Sequence, residues 1–118
     1  MKTLILGATN NPQRYAYLAA NRLVEAGHEI VNIGIKKGDL AGVPILSATE
    51  PLPDIHTITL YLGPKSQAQY YEYIMQTKPK RLIFNPGTEN HELFAMAKAH
   101  GIEPIEACTL VLLSTGQF

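Results

Sequence analysis

The chain alternates between short apolar runs and longer segments whose apolar residues recur every three or four positions. The apolar runs predict five strands, at residues 3–7, 29–33, 55–62, 81–85 and 102–107. The helical spacing predicts three helices, at residues 13–26, 65–78 and 91–100. Strands alternating with helices are typical of an α/β fold with a mostly parallel five-stranded sheet and helices on both faces.

Glycine and proline residues help to locate the ends of these predicted helices and strands. In the first helix, the face of Ala16, Ala19, Ala20, Leu23 and Val24 is predicted to be buried, and Gly27 lies where a helix C′ residue is expected. Pro64 suits the first turn of the second helix, and Pro104 predicts an edge position for the fifth strand. Residues 34–54 are rich in glycine and proline and are predicted to be a loop with a short extended piece at 43–46. For the tail, residues 108–118, periodicity leaves a helix and a strand open.

Composition narrows the class of protein. A chain of 118 residues predicts one domain, residues 1–118, and its ten basic and ten acidic side chains balance, so no global field favours nucleic acid or a membrane surface. No apolar run reaches about 18 residues, and the start does not resemble a signal peptide, so a cytoplasmic protein is expected. Cys108 is the single cysteine and the four histidines lack metal-ligand spacing, which predicts no disulfide and no metal site.

Candidate chemistry gathers where the predicted strands end. In parallel α/β sheets, ligands bind beyond the carboxyl ends of the strands. Four segments rich in glycine, proline or small polar residues are expected there: 7–14, 34–38, 63–66 and 85–90. Their candidate ligand-binding residues are Gly7, Ala8, Thr9, Asn10, Pro12, Arg14, Gly34, Lys36, Lys37, Gly63, Pro64, Pro86, Gly87 and Asn90.

The first of these segments has the features of a phosphate-binding turn. Gly7 allows close approach of the backbone, the next helix presents free N–H groups, and Arg14 offers a bidentate donor. An ordinary helix start with a surface arginine fits the same residues. In the segment 85–90, Thr88 or Asn90 suits a helix cap, which is a sufficient reason for either residue.

The second segment bears on the kind of nucleotide. An NAD site usually has an acid at the end of the second strand, to bind the ribose hydroxyls. Here Lys36 and Lys37 come before the first acid, Asp39. This order argues against NAD and favours a phosphorylated ribose, as in NADP or coenzyme A. A solvated pair of lysines on a loop is the alternative explanation.

Together these motifs resemble the small coenzyme A-binding domain family, which is related to the amino-terminal domain of the succinyl-CoA synthetase α-subunit. The resemblance rests on GATNNPQR at residues 7–14, GHEI at 27–30, LAGVP at 40–44, PGTEN at 86–90 and Cys108 after the last strand. It covers nearly the whole chain. It implies a Rossmann-like fold and, in most members, a binding function without an assigned reaction.

The resemblance also implies roles and shows two departures. The turn at 7–14 would hold the pyrophosphate of coenzyme A, Lys36 or Lys37 the 3′-phosphate, and the turn at 63–66 would border the adenine or pantetheine part. Family members commonly have Asn-Pro after the second strand, where this chain has Gly34 and Ile35. They often have an arginine near the end of the third strand, where this chain has Leu62 to Pro64.

Three functions are therefore compared. The leading one is a coenzyme A or acyl-CoA binding protein without evident catalytic activity, with a small molecule as its partner and no prediction of oligomeric state. The second is an NADP-dependent oxidoreductase, for which Tyr15 and Tyr17 lie near the first turn. The third is a detached nucleotide-binding subunit of an acyl-CoA ligase, which needs a phosphorylated histidine; His91 is the histidine expected nearest the cleft.

Overall fold

The structure, a computed structural model, describes residues 2–118. Within that range the strands are β1 (Thr3–Leu6), β2 (Ile30–Ile33), β3 (Asp39–Leu40), β4 (Val43–Leu46), β5 (Thr57–Leu60), β6 (Arg81–Phe84) and β7 (Glu103–Glu106). The helices are α1 (Tyr15–Glu25), α2 (Pro64–Gln67), α3 (Tyr71–Thr77), α4 (His91–Ala99) and α5 (Thr109–Ser114), with a 3₁₀ turn at Ala68–Tyr70 between α2 and α3.

The strands form one sheet in the order β3-β4-β2-β1-β5-β6-β7. Every neighbouring pair is parallel except β3 and β4. From β1 the chain first adds strands on one side, with β2, and later on the other, with β5. The strand order therefore reverses beside β1, and the carboxyl ends of β1, β2 and β5 border the crevice that this reversal creates.

The sheet has seven strands, so the prediction of five is wrong. The two additional strands, β3 and β4, form an antiparallel hairpin within the segment predicted to be mainly loop. Its two-residue turn has positive φ at both positions, 54° at Ala41 and 80° at Gly42, the geometry of a type I′ turn. Asn32 holds the hairpin against β2, since its buried side-chain amide donates to the carbonyls of Leu40 and Val43 at 3.0 and 3.1 Å. The extended piece predicted at 43–46 is β4.

The helices follow the predicted pattern with two changes. Pro64 is the first residue of α2, as expected, but the second predicted helix is divided by the 3₁₀ turn. Gly27 has the predicted left-handed conformation after α1 (φ 87°), whereas Val24 is exposed rather than buried. The tail forms the helix α5, and Pro104 lies in the edge strand β7, as predicted. Among residues 2–118, no helix has the length and apolar character needed to cross a bilayer.

Two apolar layers cover the two faces of the sheet. Because side chains alternate along a strand, Leu4 and Leu6 point to one face and Ile5 to the other. The first face packs under α3 and α4, through residues such as Ile74 and Leu93. The opposite face packs under α1 and α5; its buried residues are Ile5, Ala8, Ala16, Ala20, Leu23, Ile30, Leu40 and Ile45. Helices on both faces were predicted, and this arrangement confirms them.

The crossover from β4 to β5 contains no helix. Residues 47–56 pass over the first face as an irregular segment, and Ile55 is its most deeply buried apolar residue. The crossovers from β1 to β2 and from β6 to β7 each contain a helix instead. The irregular segment therefore leaves the carboxyl end of β4 and reaches the amino end of β5 without the regular packing that a helix provides.

Candidate functional site

The turn after β1 is pressed against its two neighbouring strands. Gly7 has a φ of 100°, and a Cβ atom at this position would lie 2.9 Å from the carbonyl carbon and oxygen of Tyr61, which follows β5. On the other side, the N–H groups of Gly7 and Ala8 both donate to the carbonyl of Ile33, at 2.9 Å each. Glycine is required here by both its conformation and the space available.

The rest of this turn is held by hydrogen bonds between its own residues. The backbone N–H of Asn11 donates to Oγ1 of Thr9 at 3.2 Å, and that of Gln13 donates to Oδ1 of Asn11 at 3.0 Å. Arg14 is the N-cap residue of α1; its guanidinium has only donors and cannot cap the N–H groups of the helix, and the first turn of α1 carries no acidic side chain. The N–H of Tyr17 donates to the carbonyl of Arg14 at 3.1 Å. The N–H groups of Tyr15 and Ala16, the first two residues of α1, have no partner within the helix, so they favour an anion at this point.

The loop after β2 contacts the same turn. A Cβ atom on Gly34 would overlap the carbonyl oxygen of Ala8, so only glycine fits at this position. Four residues further on, a Cβ atom on Gly38 would lie 2.8 Å from the side-chain nitrogen of Asn10. Lys36 and Lys37 are exposed between these two contacts. Two predicted segments, 7–14 and 34–38, are therefore contiguous.

The turns after β5 and β6 are joined through a buried side chain that the sequence analysis did not select. Gln67 is fully buried, and its amide nitrogen donates to the carbonyls of Leu62 and Thr88, each at 2.8 Å. Its amide oxygen accepts a hydrogen bond from the side chain of Asn90 at 3.0 Å. One amide thus connects the segments 63–66 and 85–90. Its position in a polar helix, among other glutamines, gave no signal of this role.

Asn90 has a structural role in its own right. Its Oδ1 accepts a hydrogen bond from the backbone of Leu93 at 3.1 Å, so Asn90, one of the two residues expected as a cap, is the cap of α4. Its side-chain nitrogen donates both to Gln67 and to the hydroxyl of Tyr71, the latter at 2.8 Å. Both amide hydrogens and the oxygen are therefore engaged within the protein. Pro86 and Gly87 remain exposed on the turn that these bonds support.

The buried polar side chains of Asn85, Thr59 and Thr109 form a hydrogen-bonded group on the sheet face that α1 and α5 cover. The side chain of Asn85 donates to the Thr59 hydroxyl at 2.7 Å and accepts from the backbone of Thr109 at 2.9 Å. Burial raises the pKa of Tyr61 to about 12, against the opposing effect of the hydroxyls of Thr109 and Thr59. Tyr61 is therefore protonated at neutral pH. Sequence reasoning missed Asn85 because an asparagine after a strand is indistinguishable from a loop residue.

Three further residues named in the sequence analysis, His91, Tyr15 and Cys108, take no part in the hydrogen bonds described above. His91 is exposed at the start of α4, and Tyr15 is 73% exposed at the start of α1. Cys108 is the partly buried N-cap residue of α5. No group of three metal-ligating side chains occurs in the range 2–118.

The chain is similar to known proteins both in sequence and in structure. A family model described as a CoA binding domain matches residues 1–114. The crystal structure of an uncharacterized protein is 52% identical, with a TM-score of 0.97 over 99% of this chain and 97% of the other. A hypothetical protein from Pyrococcus horikoshii OT3 is 23% identical, with a TM-score of 0.86 over 97% and 81% of the two chains. A protein from Thermus thermophilus is 18% identical, with a TM-score of 0.85 over 99% and 90%. No curated protein matches.

Proposed function

The chain belongs to the CoA binding domain family, and from that premise we propose that it binds coenzyme A or an acyl-CoA thioester and has no catalytic activity of its own. The observation that carries the proposal is the contact between the turn at 7–14 and the loop at 34–38, through Gly34 against Ala8 and Gly38 against Asn10. This contact brings a helix N-terminus and two lysines to one side of the crevice.

The pyrophosphate is assigned to the turn after β1. The start of α1 offers N–H groups and a partial positive charge, and Arg14 adds a full charge at the same place. The close packing of Gly7 leaves no side chain between the turn and the edge of the sheet. Thr9, Asn10 and Pro12 complete the turn and are proposed to contact the same group.

The 3′-phosphate is assigned to Lys36 and Lys37. This phosphate distinguishes coenzyme A from dephospho-CoA, and a lysine pair with free ammonium groups provides charge-assisted hydrogen bonds to it. Among residues 2–118, Lys36 and Lys37 form no salt bridge within the 4.0 Å limit for ion pairs. They are thus available to a ligand.

The pantetheine arm is assigned to the other side of the crevice, over the exposed turns that contain Gly63, Pro64, Pro86 and Gly87. Gln67 and Asn90 hold these two turns together. Because the polar atoms of Asn90 are occupied by the protein, its proposed contribution is to position the turn at 86–87 rather than to contact the ligand.

The NADP-dependent oxidoreductase has no support from the site. A catalytic tyrosine needs a pKa near or below its ordinary value to exchange a proton at neutral pH. Of the two tyrosines named for this function, Tyr15 is 73% exposed and Tyr17 is half-buried at the start of α1. Burial raises the pKa of Tyr61, which follows β5, to about 12. The ligase-subunit alternative rests on His91, which is exposed at the start of α4.

Isothermal titration calorimetry with coenzyme A, dephospho-CoA and NADP tests the proposal. We expect saturable binding of coenzyme A, about tenfold weaker binding of dephospho-CoA, and a similar loss for coenzyme A in the double variant Lys36→Ala/Lys37→Ala. The double variant Lys78→Ala/Lys80→Ala is the matched control, since these lysines lie at the opposite edge of the sheet. Absence of coenzyme A binding, or tighter binding of NADP, would reject the proposal.

A further inference from the structure

A cavity of about 450 Å³ lies at the amino ends of β5 and β6, at the edge of the sheet opposite to the site proposed for coenzyme A. Three segments meet there: the residues before β5, the end of α3 and the residue before β6. They supply Asp54, Ile55, His56, Thr77, Lys78 and Lys80 to the lining. The volume is within the range of about 300–1,000 Å³ that is usual for small-molecule sites. Because β5 has four residues, roughly 13 Å separates this edge from the other one.

The lining carries an excess of positive charge. The backbone N–H of Lys80 donates to the carbonyl of His56 at 2.9 Å, which fixes this lysine beside the histidine. Within residues 2–118, neither Lys78 nor Lys80 has a carboxylate oxygen within the 4.0 Å limit for an ion pair. Asp54 contributes one carboxylate to the same lining, so the two ammonium groups outnumber it. A concave surface with this balance favours an anion.

His56 adds a neutral donor. Its Nδ1 lies 2.8 Å from Oγ1 of Thr57, and that hydroxyl accepts a hydrogen bond from Nε of Arg81 at 2.8 Å. The hydroxyl hydrogen is therefore free to donate to Nδ1, an arrangement that leaves the ring proton on Nε2. Burial, Arg81 and Lys80 lower the pKa of His56, so its ring is neutral at pH 7.5.

Two residues of the lining have a backbone conformation that favours glycine. The φ angles are 62° at Asp54 and 50° at Lys78. Among residues 2–118, one further residue other than glycine has a positive φ, Ala41 in the turn of the hairpin. Glycine would adopt this conformation without strain, whereas Asp54 and Lys78 each present a charged side chain to the cavity at a conformational cost. Strained positions of this kind cluster at ligand sites.

We propose that this cavity binds the phosphate group of a small molecule. A phosphate dianion requires donors and positive charge, which Lys78, Lys80 and the Nε2–H of His56 provide. A cation would be repelled by the two ammonium groups, and a neutral ligand would leave them without a counter-charge. The proposal is independent of the proposed function, because the groups of coenzyme A are assigned to the carboxyl edge of the sheet.

Nuclear magnetic resonance titration of the unmodified protein with inorganic phosphate at pH 7.5 tests the proposal. We expect saturable changes in the backbone amide signals of residues 54–56, 77, 78 and 80. Sodium chloride at the same ionic strength is the reference, since it screens charge without offering a phosphate. Glycerol 3-phosphate is the second probe. Tighter binding of this ester assigns the cavity to a phosphorylated small molecule and equal binding assigns it to free phosphate, and either result supports a phosphate site.

Two variants form a matched pair, because both replace a left-handed residue of the same lining by glycine. Lys78→Gly and Asp54→Gly are each expected to melt at the same temperature as the unmodified protein or slightly above it. Their effects on phosphate should have opposite signs. Lys78→Gly should raise the Kd about twofold to fivefold, the range for one exposed charge pair, whereas Asp54→Gly should lower it.

The opposite signs distinguish a binding site from a backbone effect. A relaxed backbone would change phosphate binding in the same direction in both variants, and this result would overturn the proposal. Equal signal changes with sodium chloride and phosphate, or a Kd that neither variant alters, would overturn it as well.

Discussion

Replacement of Gly34 by alanine tests whether the contact between the first two loops organises the site. The ideal Cβ position overlaps the carbonyl oxygen of Ala8 and lies 3.1 Å from a methyl group of Ile45. Because the main obstacle is backbone, a side-chain rotation cannot relieve it. The turn after β1 has to move away from β2, and the hydrogen bonds from Gly7 and Ala8 to the Ile33 carbonyl are lengthened or lost.

The expected cost follows from the size of this overlap. Forcing a methyl group into a well-packed site typically costs about 1–3 kcal/mol. At this chain length, about 1 kcal/mol corresponds to a change of about 4 °C in melting temperature, so Gly34→Ala is expected to lower it by about 4–12 °C. Displacement of the turn should also weaken coenzyme A binding, since the pyrophosphate and 3′-phosphate positions would no longer be adjacent.

Gly63→Ala provides the matched control for stability. Gly63 has an ordinary φ of −67°, and a Cβ atom there would meet nothing within 4 Å. This variant is expected to be as stable as the unmodified protein or slightly more stable, because alanine reduces the freedom of the unfolded chain. Circular dichroism melts and calorimetric titrations measure both properties. If Gly34→Ala melts like Gly63→Ala and binds coenzyme A like the unmodified protein, the reasoning about the loop contact is refuted.

Three further predictions concern single side chains. Gln67→Leu should lower the free energy of unfolding by about 3 kcal/mol, because it leaves buried groups without hydrogen bonds, while exposed Gln69→Leu should change it by less than about 0.5 kcal/mol in denaturant titrations. Burial, Arg81 and Lys80 lower the pKa of His56 below 6.5, so the unfolded state binds the proton more readily and the protein loses stability as the pH falls through 6.5. Between pH 7.5 and pH 5.5, the melting temperature of His56→Gln should therefore fall less than that of the unmodified protein, and an equal fall would contradict this. With its pKa at about 12, Tyr61 should remain protonated at pH 11. Tyr61→Phe should therefore leave the ultraviolet phenolate signal of the folded protein at pH 11 unchanged, and a reduced signal would contradict the raised pKa of Tyr61.

Much of the architecture was predictable because local patterns and the global fold agree. The apolar runs at 3–7 and 81–85 coincide with central strands that are buried on both faces, where a continuous apolar run is required. The stops at Gly27 and Pro64 are likewise local, since they depend on backbone conformation alone. The family resemblance was also contained in these local motifs, and the match over residues 1–114 confirms it.

The hairpin of β3 and β4 was missed for a physical reason. Its first strand is two residues long, its second contains Pro44, and its turn uses Ala41 in a left-handed conformation that alanine rarely adopts. Local preference therefore argued for a loop. The hairpin is held from outside the segment by Asn32, whose side chain bonds to two of its carbonyls. Nothing in the local sequence shows that such a partner will be near.

Local sequence specified five of the seven strands, the glycine turn after the first strand, the lysine pair after β2 and the family, because each depends on residues close together in the chain. Only the tertiary structure decided that Gly34 lies against Ala8, that Gln67 links the turns after β5 and β6, and that His56 and Lys78 line the same cavity. Except for the bond from Gln67 to Leu62, these contacts join residues that are 21 or more positions apart, and their geometry depends on how the whole sheet packs. Neither residue type nor spacing could specify them.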